Sequence, residues 1–249
     1  MIYTVATQKG GVGKTTTAAA LWAGLSLKGY KCLAIDLDPQ CNLSFTAGAD
    51  TTRKTALSLL TGEAPAEETI QQTAAGDIIP ASKSLAGADA FITDTGKEYR
   101  LKEALEPIQA RYDYIVIDTP PALGILTVNA LTACNSVIVP AQADIFSLEG
   151  IGQLQATIDP VRKYCNPTLH IEGLLLTRYN ARTALSRDVS EIMQQLAQKL
   201  GTKVFNTTIR EGIAVKEAQI SQRTIFDYAP KAKVTDDYRA FIEEILKPE

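Results

Sequence analysis

The chain has 249 residues, of which 45% are apolar and 21% charged, with 25 Lys+Arg against 28 Asp+Glu for a formal charge of −3. Such a composition provides for a large globular core, and no run approaches the roughly 18 uncharged apolar residues that a membrane-spanning helix needs. The four cysteines (Cys32, Cys41, Cys134, Cys165) are scattered without C-x-x-C spacing and His170 is the single histidine, which argues against a disulfide framework or a clustered metal site. The charge is uneven: residues 1–159 carry 11 basic and 17 acidic side chains and residues 160–249 carry 14 and 11, so the C-terminal third has the means to present a basic face.

Apolar runs alternate with helical patterns in chain order. Residues 2–6 read as a strand with no room before it for a signal peptide, so a cytoplasmic protein is expected. A helix over about 16–27 places Ala18, Leu21, Trp22 and Leu25 on one face, Gly29 ends it, and a second strand at 31–35 runs into Asp36-Leu-Asp38-Pro39-Gln40. Residues 55–60 suggest a short helix, 62–76 an acidic Ala/Thr-rich loop, 77–81 a strand and 98–110 a helix. The clearest strand, 114–117, ends in Asp118-Thr119-Pro120-Pro121, and another, 136–139, stops at Pro140. A helix at 148–164, a strand at 171–177, a helix at 184–200, a short strand at 203–205 and a closing helix bearing Val234, Tyr238, Phe241, Ile242 and Ile245 complete the chain. This alternation predicts an α/β fold, a single domain over 1–249 with a mostly parallel doubly wound sheet flanked by helices.

Gln8 to Thr16 read Gln-Lys-Gly-Gly-Val-Gly-Lys-Thr-Thr, between the first strand and the first helix. Gly10, Gly11 and Gly13 let the backbone curl so that successive N–H groups point inward, and the helix N-terminus adds its dipole, which together cradle phosphate. In a P-loop of this kind Lys14 reaches the β- and γ-phosphates and the Thr15 hydroxyl ligates Mg²⁺. An ordinary P-loop has a glycine five residues before Gly13; here it is Gln8, followed by an additional lysine, Lys9. Ligands of open α/β sheets collect beyond the C-terminal ends of the strands, where Asp38 and Asp118 also fall. Asp118, closing an apolar strand, has the form of a Walker B carboxylate that holds Mg²⁺ directly or through water. Asp36 and Asp38 admit two readings: one orients the attacking water while the other supports the Mg²⁺ shell, or Asp-Pro simply begins a turn.

Lys9-Gly-Gly-Val-Gly-Lys14-Thr15-Thr16, Asp36-Leu-Asp-Pro-Gln40 and Asp118-Thr-Pro-Pro121, in this order and spacing, resemble the deviant-Walker ATPases of the ParA/MinD superfamily. Ser136-Val-Ile-Val-Pro-Ala-Gln142, followed by Leu148-Glu-Gly150, is similar to the ParA/Soj partition ATPases, and the likeness runs from residue 1 to about 245. The resemblance implies an ATP/ADP and Mg²⁺ site made by Lys9, Gly10, Gly11, Val12, Gly13, Lys14, Thr15, Thr16 and Asp118, with Thr15, Asp38 and Asp118 toward the metal. Lys9, Lys14 and Asp38 are implied to be catalytic. Lys9 resembles the signature lysine that reaches the partner's phosphates in an ATP-sandwich homodimer, Gly10 would lie against the partner loop, and Glu149 would contact the partner's nucleotide. The family commonly reads Pro-Arg-Asn and then Glu-Ala-Pro where adenine is held; here the stretches are Ile209-Arg210-Glu211-Gly212 and Glu217-Ala218-Gln219, so Arg210 and Gly212 are the candidates there. An arginine that relatives use on DNA aligns with Ala214.

The function so implied is a Mg²⁺-dependent ATPase of weak basal activity that dimerises on ATP, binds DNA non-specifically and partitions a plasmid or chromosome. A ParB-like centromere-binding partner would stimulate it, and it would be cytoplasmic and nucleoid-associated. Arg178, Arg182, Arg187, Lys203, Arg210, Lys216 and Arg223 are the candidate phosphate-backbone contacts. The alternatives are a ParA-like positioner of non-DNA cargo and a MinD-like membrane switch. For the latter the last helix is poorly suited, since Asp236, Asp237, Glu243 and Glu244 lie beside its apolar stripe and no membrane partner is expected.

Overall fold

A computed structural model of the chain describes residues 1–180 and 184–247, the side chains of 184–187 excepted. Its strands are β1 (Ile2–Val5), β2 (Cys32–Asp36), β3 (Gln71–Thr73), β4 (Gly76–Ile79), β5 (Tyr114–Asp118), β6 (Ser136–Ala141) and β7 (His170–Leu176). They form one sheet in the order β3-β4-β2-β5-β1-β6-β7, parallel throughout except for the edge pair β3–β4. The helices are α1 (Lys14–Leu27), α2 (Asn42–Thr46), α3 (Ala56–Leu60), α4 (Ala66–Thr69), α5 (Ala88–Phe91), α6 (Arg100–Leu105), α7 (Ile125–Ala133), α8 (Ile145–Tyr164), α9 (Ala184–Lys199), α10 (Ile213–Ile220), α11 (Ile225–Tyr228) and α12 (Lys233–Leu246).

Because side chains alternate across a strand, the strands other than edge strand β3 feed two cores. Tyr3, Val5, Ala34 and Val116 pack with Leu21 and Trp22 of α1 and with Phe241 and Ile242 of α12. Ile2, Leu33, Ile35 and Ile117 pack on the other face with Leu60, Leu101, Leu131, Leu154 and Met193. The apolar stripe predicted for the closing helix is thus buried against α1, so closely that a Cβ on Gly24 would sit 2.0 Å from Ile242 Cδ1. The acids beside that stripe are engaged: Asp237 pairs with Arg210 at 2.6 Å, Asp236 with Arg239 at 2.7 Å and Glu243 with Lys28, while Glu244 accepts from the Asn206 amide at 2.7 Å. No helix among the described residues is long and apolar enough to cross a membrane.

Several elements differ from their sequence reading. The expected loop at 62–76 contains α4 and the antiparallel strand β3. The helix expected at 98–110 is a short α-helix, α6, between two 3₁₀ turns (Lys97–Tyr99 and Gln109–Arg111). β6 continues through Pro140 to Ala141. Ile138 accepts from the Ala6 amide, so position 140 also faces β1, which has already ended at Val5; the missing proline N–H therefore breaks no ladder bond. The strand expected at 203–205 is only a bridge from Val204 to Leu174, and α8 begins at Ile145, capped by Asp144, which accepts from the Ser147 amide. α7 and α10 are helices where none was expected.

Candidate functional site

β1, β2 and β5 end level with one another: Val5 is in register with Asp118, and Asp118 with Asp36. The phosphate loop leaves this edge and turns through Gly11 (φ 74) and Gly13 (φ 91), left-handed conformations that a side chain would strain. The Thr177 hydroxyl, just past β7, donates to Val12 O at 2.7 Å, and Gln142 Nε2 donates to Gly11 O at 3.3 Å. Gln8 is half-buried, and its Oε1 accepts no hydrogen bond among the described residues. The loop is therefore fixed from two neighbouring strands.

Lys14 is buried, with Nζ donating to Lys9 O at 3.3 Å; burial lowers its pKa, and Asp118 and Asp38 oppose that shift. Asp118 joins Asp36 and Asp38 in one carboxylate cluster, of which Asp38 and Asp118 act on this ammonium. Asp36 is fully buried and braced: Oδ2 accepts from the Ser44 amide at 2.8 Å and its hydroxyl at 2.7 Å, while Oδ1 accepts from the Asp38 amide at 3.0 Å. Burial pushes Asp36 up to about 6, against the pull of those hydrogen bonds. Asp36 thus shapes the turn, the second of its two sequence readings. Asp38, 5% exposed, accepts from the Gln40 amide at 2.9 Å through Oδ1 and faces the cavity. Asp118 lies beneath, completely buried, and neither oxygen has a hydrogen-bond partner among the described residues. Burial, then the charges of Asp36 and Asp38, raise its pKa well above the usual range; the Thr15 hydroxyl and Lys14 pull the other way.

Above these groups opens a cavity of about 500 Å³, lined by the loop glycines, Lys14, Thr15, Asp38, Arg178 and Lys216. A second of about 140 Å³ adjoins it between the loop and α10, lined in part by Val12, Ile209, Gly212, Val215 and Tyr238; Thr16, Arg178, Lys216 and Gln219 face both. Gln219 Nε2 donates to Thr16 Oγ1 at 3.3 Å. Lys9 does not line either cavity. Its Nζ turns outward to Asp144 Oδ2 at 2.5 Å and lies 5.9 Å from the Phe146 ring centroid, beside exposed Ile145 and Glu149.

The basic candidates do not share one setting. Arg178 and Lys216 face both cavities, whereas Arg210 lines only the second and is bound to Asp237 through Nε and Nη2 at 2.6 and 2.7 Å. Arg223 is exposed and donates to Asp227 O, whereas Lys203 lies against the Phe205 ring beside the middle of β7. Arg182 and the side chain of Arg187 lie outside the described residues. Gly212 lines the second cavity and meets α12, where a Cβ would come within 2.8 Å of Val234 Cγ1. Sequence reasoning missed Thr177, Ser44 and Asp144, which topology brings from distant segments with no local motif, and gave Gln142 no role beyond its place in the Ser136–Gln142 stretch.

A family model described as an AAA domain matches residues 1–171. The chain is 38% identical to the sporulation initiation inhibitor protein Soj of Bacillus subtilis, over 98% of this chain and 97% of that one. It is 39% identical to the chromosome partitioning protein ParA of Caulobacter vibrioides, over 100% of this chain and 94% of the other. The chain belongs to the ParA/Soj family of partition ATPases. The ParA/Soj fold is shared with a solved structure of cobyrinic acid a,c-diamide synthase from Mycobacterium smegmatis with bound ATP analogue and magnesium. That protein is 36% identical with a TM-score of 0.85, covering 98% of this chain and 93% of the other. In this ParA/Soj chain the family's three motifs meet at one sheet edge, as the registers of β1, β2 and β5 require.

Proposed function

We propose that the chain is a Mg²⁺-dependent ATPase that forms an ATP-sandwich homodimer, binds DNA without sequence preference and partitions a replicon under the control of a ParB-like activator. The observation that carries the reading is the charge balance of the site. Three buried carboxylates lie together, only Asp38 and Asp118 of them acting on the buried Lys14, and Asp118 has no hydrogen-bond partner among the described residues, so Asp38 and Asp118 with the Thr15 hydroxyl suit a divalent cation. Thr15, Asp38 and Asp118 would hold Mg²⁺, which supplies charge neutralisation to the phosphates when bound. The loop N–H groups and Lys14 bind and orient the phosphate chain. Asp38, whose Oδ1 is fixed by the Gln40 amide, orients a water and takes up its proton.

Two features support completion of the site by a second subunit. Lys9 points out of its own cavity, where it serves no phosphate of its own subunit. Gly10 has no positive φ, and a Cβ placed on it would meet nothing within 4 Å, so nothing in this chain's own described packing demands glycine there. Amide synthesis, the activity named for the Mycobacterium smegmatis protein, needs a carboxylate acceptor; ATP hydrolysis without any acceptor separates the two readings.

Asp38→Ala should trap an ATP-bound dimer retained on DNA. Light scattering with saturating ATP, and DNA retention across a salt series with ADP, ATP and a slowly hydrolysed analogue, test this. A variant that stays monomeric with ATP refutes the scheme.

A further inference from the structure

Arg178 is among the few side-chain-bearing residues with a positive φ, 48°. That conformation is costly without glycine, and it persists only where the surroundings over-determine it. Both flanks are pinned. The Thr177 amide donates to Ala141 O at 2.8 Å and its hydroxyl to Val12 O of the phosphate loop, while the Tyr179 amide donates to Ile209 O at 3.0 Å. Strain is therefore tolerated where the chain turns an arginine toward the wall shared by the two cavities, while Thr177 beside it lines only the second.

The guanidinium at that wall has no hydrogen bond or ion pair among the described residues. Arg162, Arg210, Arg223 and Arg239, by contrast, are each held by a carbonyl or carboxylate. Lys216 of α10 faces the same two cavities and is likewise unpaired among the described residues, so the junction between them carries two uncommitted cations. A guanidinium has the fork geometry that phosphate oxygens accept. We propose that Arg178 is a nucleotide-binding residue that pairs with a phosphate common to ADP and ATP, with Lys216 as the second cation, and that it is not part of the DNA-contacting set. This rests on the reading of the site as an ATP site. It leaves Lys203, Arg210, Arg223 and the two arginines at 182 and 187 as the candidates for DNA.

The test is equilibrium binding of ADP and of ATP by calorimetry, with the melting temperature of the nucleotide-free protein as a second readout. Loss of a charge-assisted bond predicts that Arg178→Ala weakens both nucleotides alike, by about 10- to 100-fold. Arg178→Lys, which keeps the charge but loses the fork, should fall between Arg178→Ala and wild type. Arg178→Gly should weaken nucleotide as Arg178→Ala does, while melting at or above the wild-type temperature because glycine relieves the left-handed backbone. A purely structural arginine would not separate the two readouts in this way. ADP and ATP binding unchanged in Arg178→Ala overturns the proposal. If the slope of DNA retention against salt also falls in that variant, the arginine belongs to DNA. Wild-type protein that binds neither nucleotide refutes the underlying ATP reading instead.

Discussion

Asp118 offers the sharpest test of how this site is built, through Asp118→Asn. The substitution keeps the shape and removes the charge. In the nucleotide-free protein the wild-type carboxyl is buried, has no hydrogen-bond partner among the described residues and sits beside Asp36 and Asp38. Leaving a buried polar group unsatisfied costs about 1–3 kcal/mol, and more if it is charged. The asparagine amide is also unsatisfied, so the gain is the charge component alone, which wild-type protonation partly relieves. We expect Asp118→Asn to be more stable than wild type by about 1–3 kcal/mol in EDTA at pH 7.5, or roughly 2–10 °C in Tm for a chain of this size. With Mg²⁺ and ATP at about 100 times Kd the wild type should gain about 2.7 kcal/mol by linkage, closing most or all of that gap, while the variant should gain much less. Urea melts under the two conditions measure both differences. An Asp118→Asn protein less stable than wild type in EDTA would refute the account of Asp118 as an unmet charge.

Three further outcomes are expected. Asp36 and Asp118 are both raised by burial, so the folded state binds protons more tightly than the unfolded; their stabilising contribution is full below about pH 4 and is lost as pH rises through each raised pKa, about 6 for Asp36. Urea melts in EDTA at rising pH from about 4 upward should therefore show a smaller loss for Asp118→Asn than for wild type. Gly24→Ala should lower stability, because helix propensity returns only about 1 kcal/mol while overpacking against Ile242 and Phe226 costs about 1–3 kcal/mol; thermal melts decide the sign. Thr177→Val removes the hydroxyl that holds Val12 O and should cost about 1–3 kcal/mol in urea melts while weakening ADP binding by calorimetry.

The central strands were legible because β1, β2 and β5 are buried on both faces and read as continuous apolar runs. The motifs at their ends could be placed together from parallel topology alone. α7 was not legible for the same reason: Ile125, Leu126, Ala130 and Leu131 are buried, as are Thr127 and Asn129 between them, so no polar face marks the helical period. Asn129 survives inside because it accepts from the Leu101 amide and donates to Lys97 O and Ile125 O. α10 hid behind the opposite fault, with Ile213 and Ile220 at 70% and 77% exposure where a buried stripe was sought. Within the site, the division of labour between Asp36 and Asp38 needed the position of Ser44, which no spacing rule supplies.

Ser44 also determines how Asp38 can move. Its hydroxyl donates to Asp36 and accepts from the Ala81 amide at 2.8 Å, and the neighbouring Pro80 carbonyl accepts from the first amide of α3. The turn bearing Asp38 is therefore riveted at one end to the segment that follows β4, and through it to α3. A displacement that breaks these bonds would strand a buried carboxylate, so the inexpensive motion is a concerted one, with the turn, α2 and the chain near Ala81 travelling as a block. Whatever happens at the far end of the phosphate chain would be transmitted to the surface around α3 and α4, on the flank of the sheet away from β7.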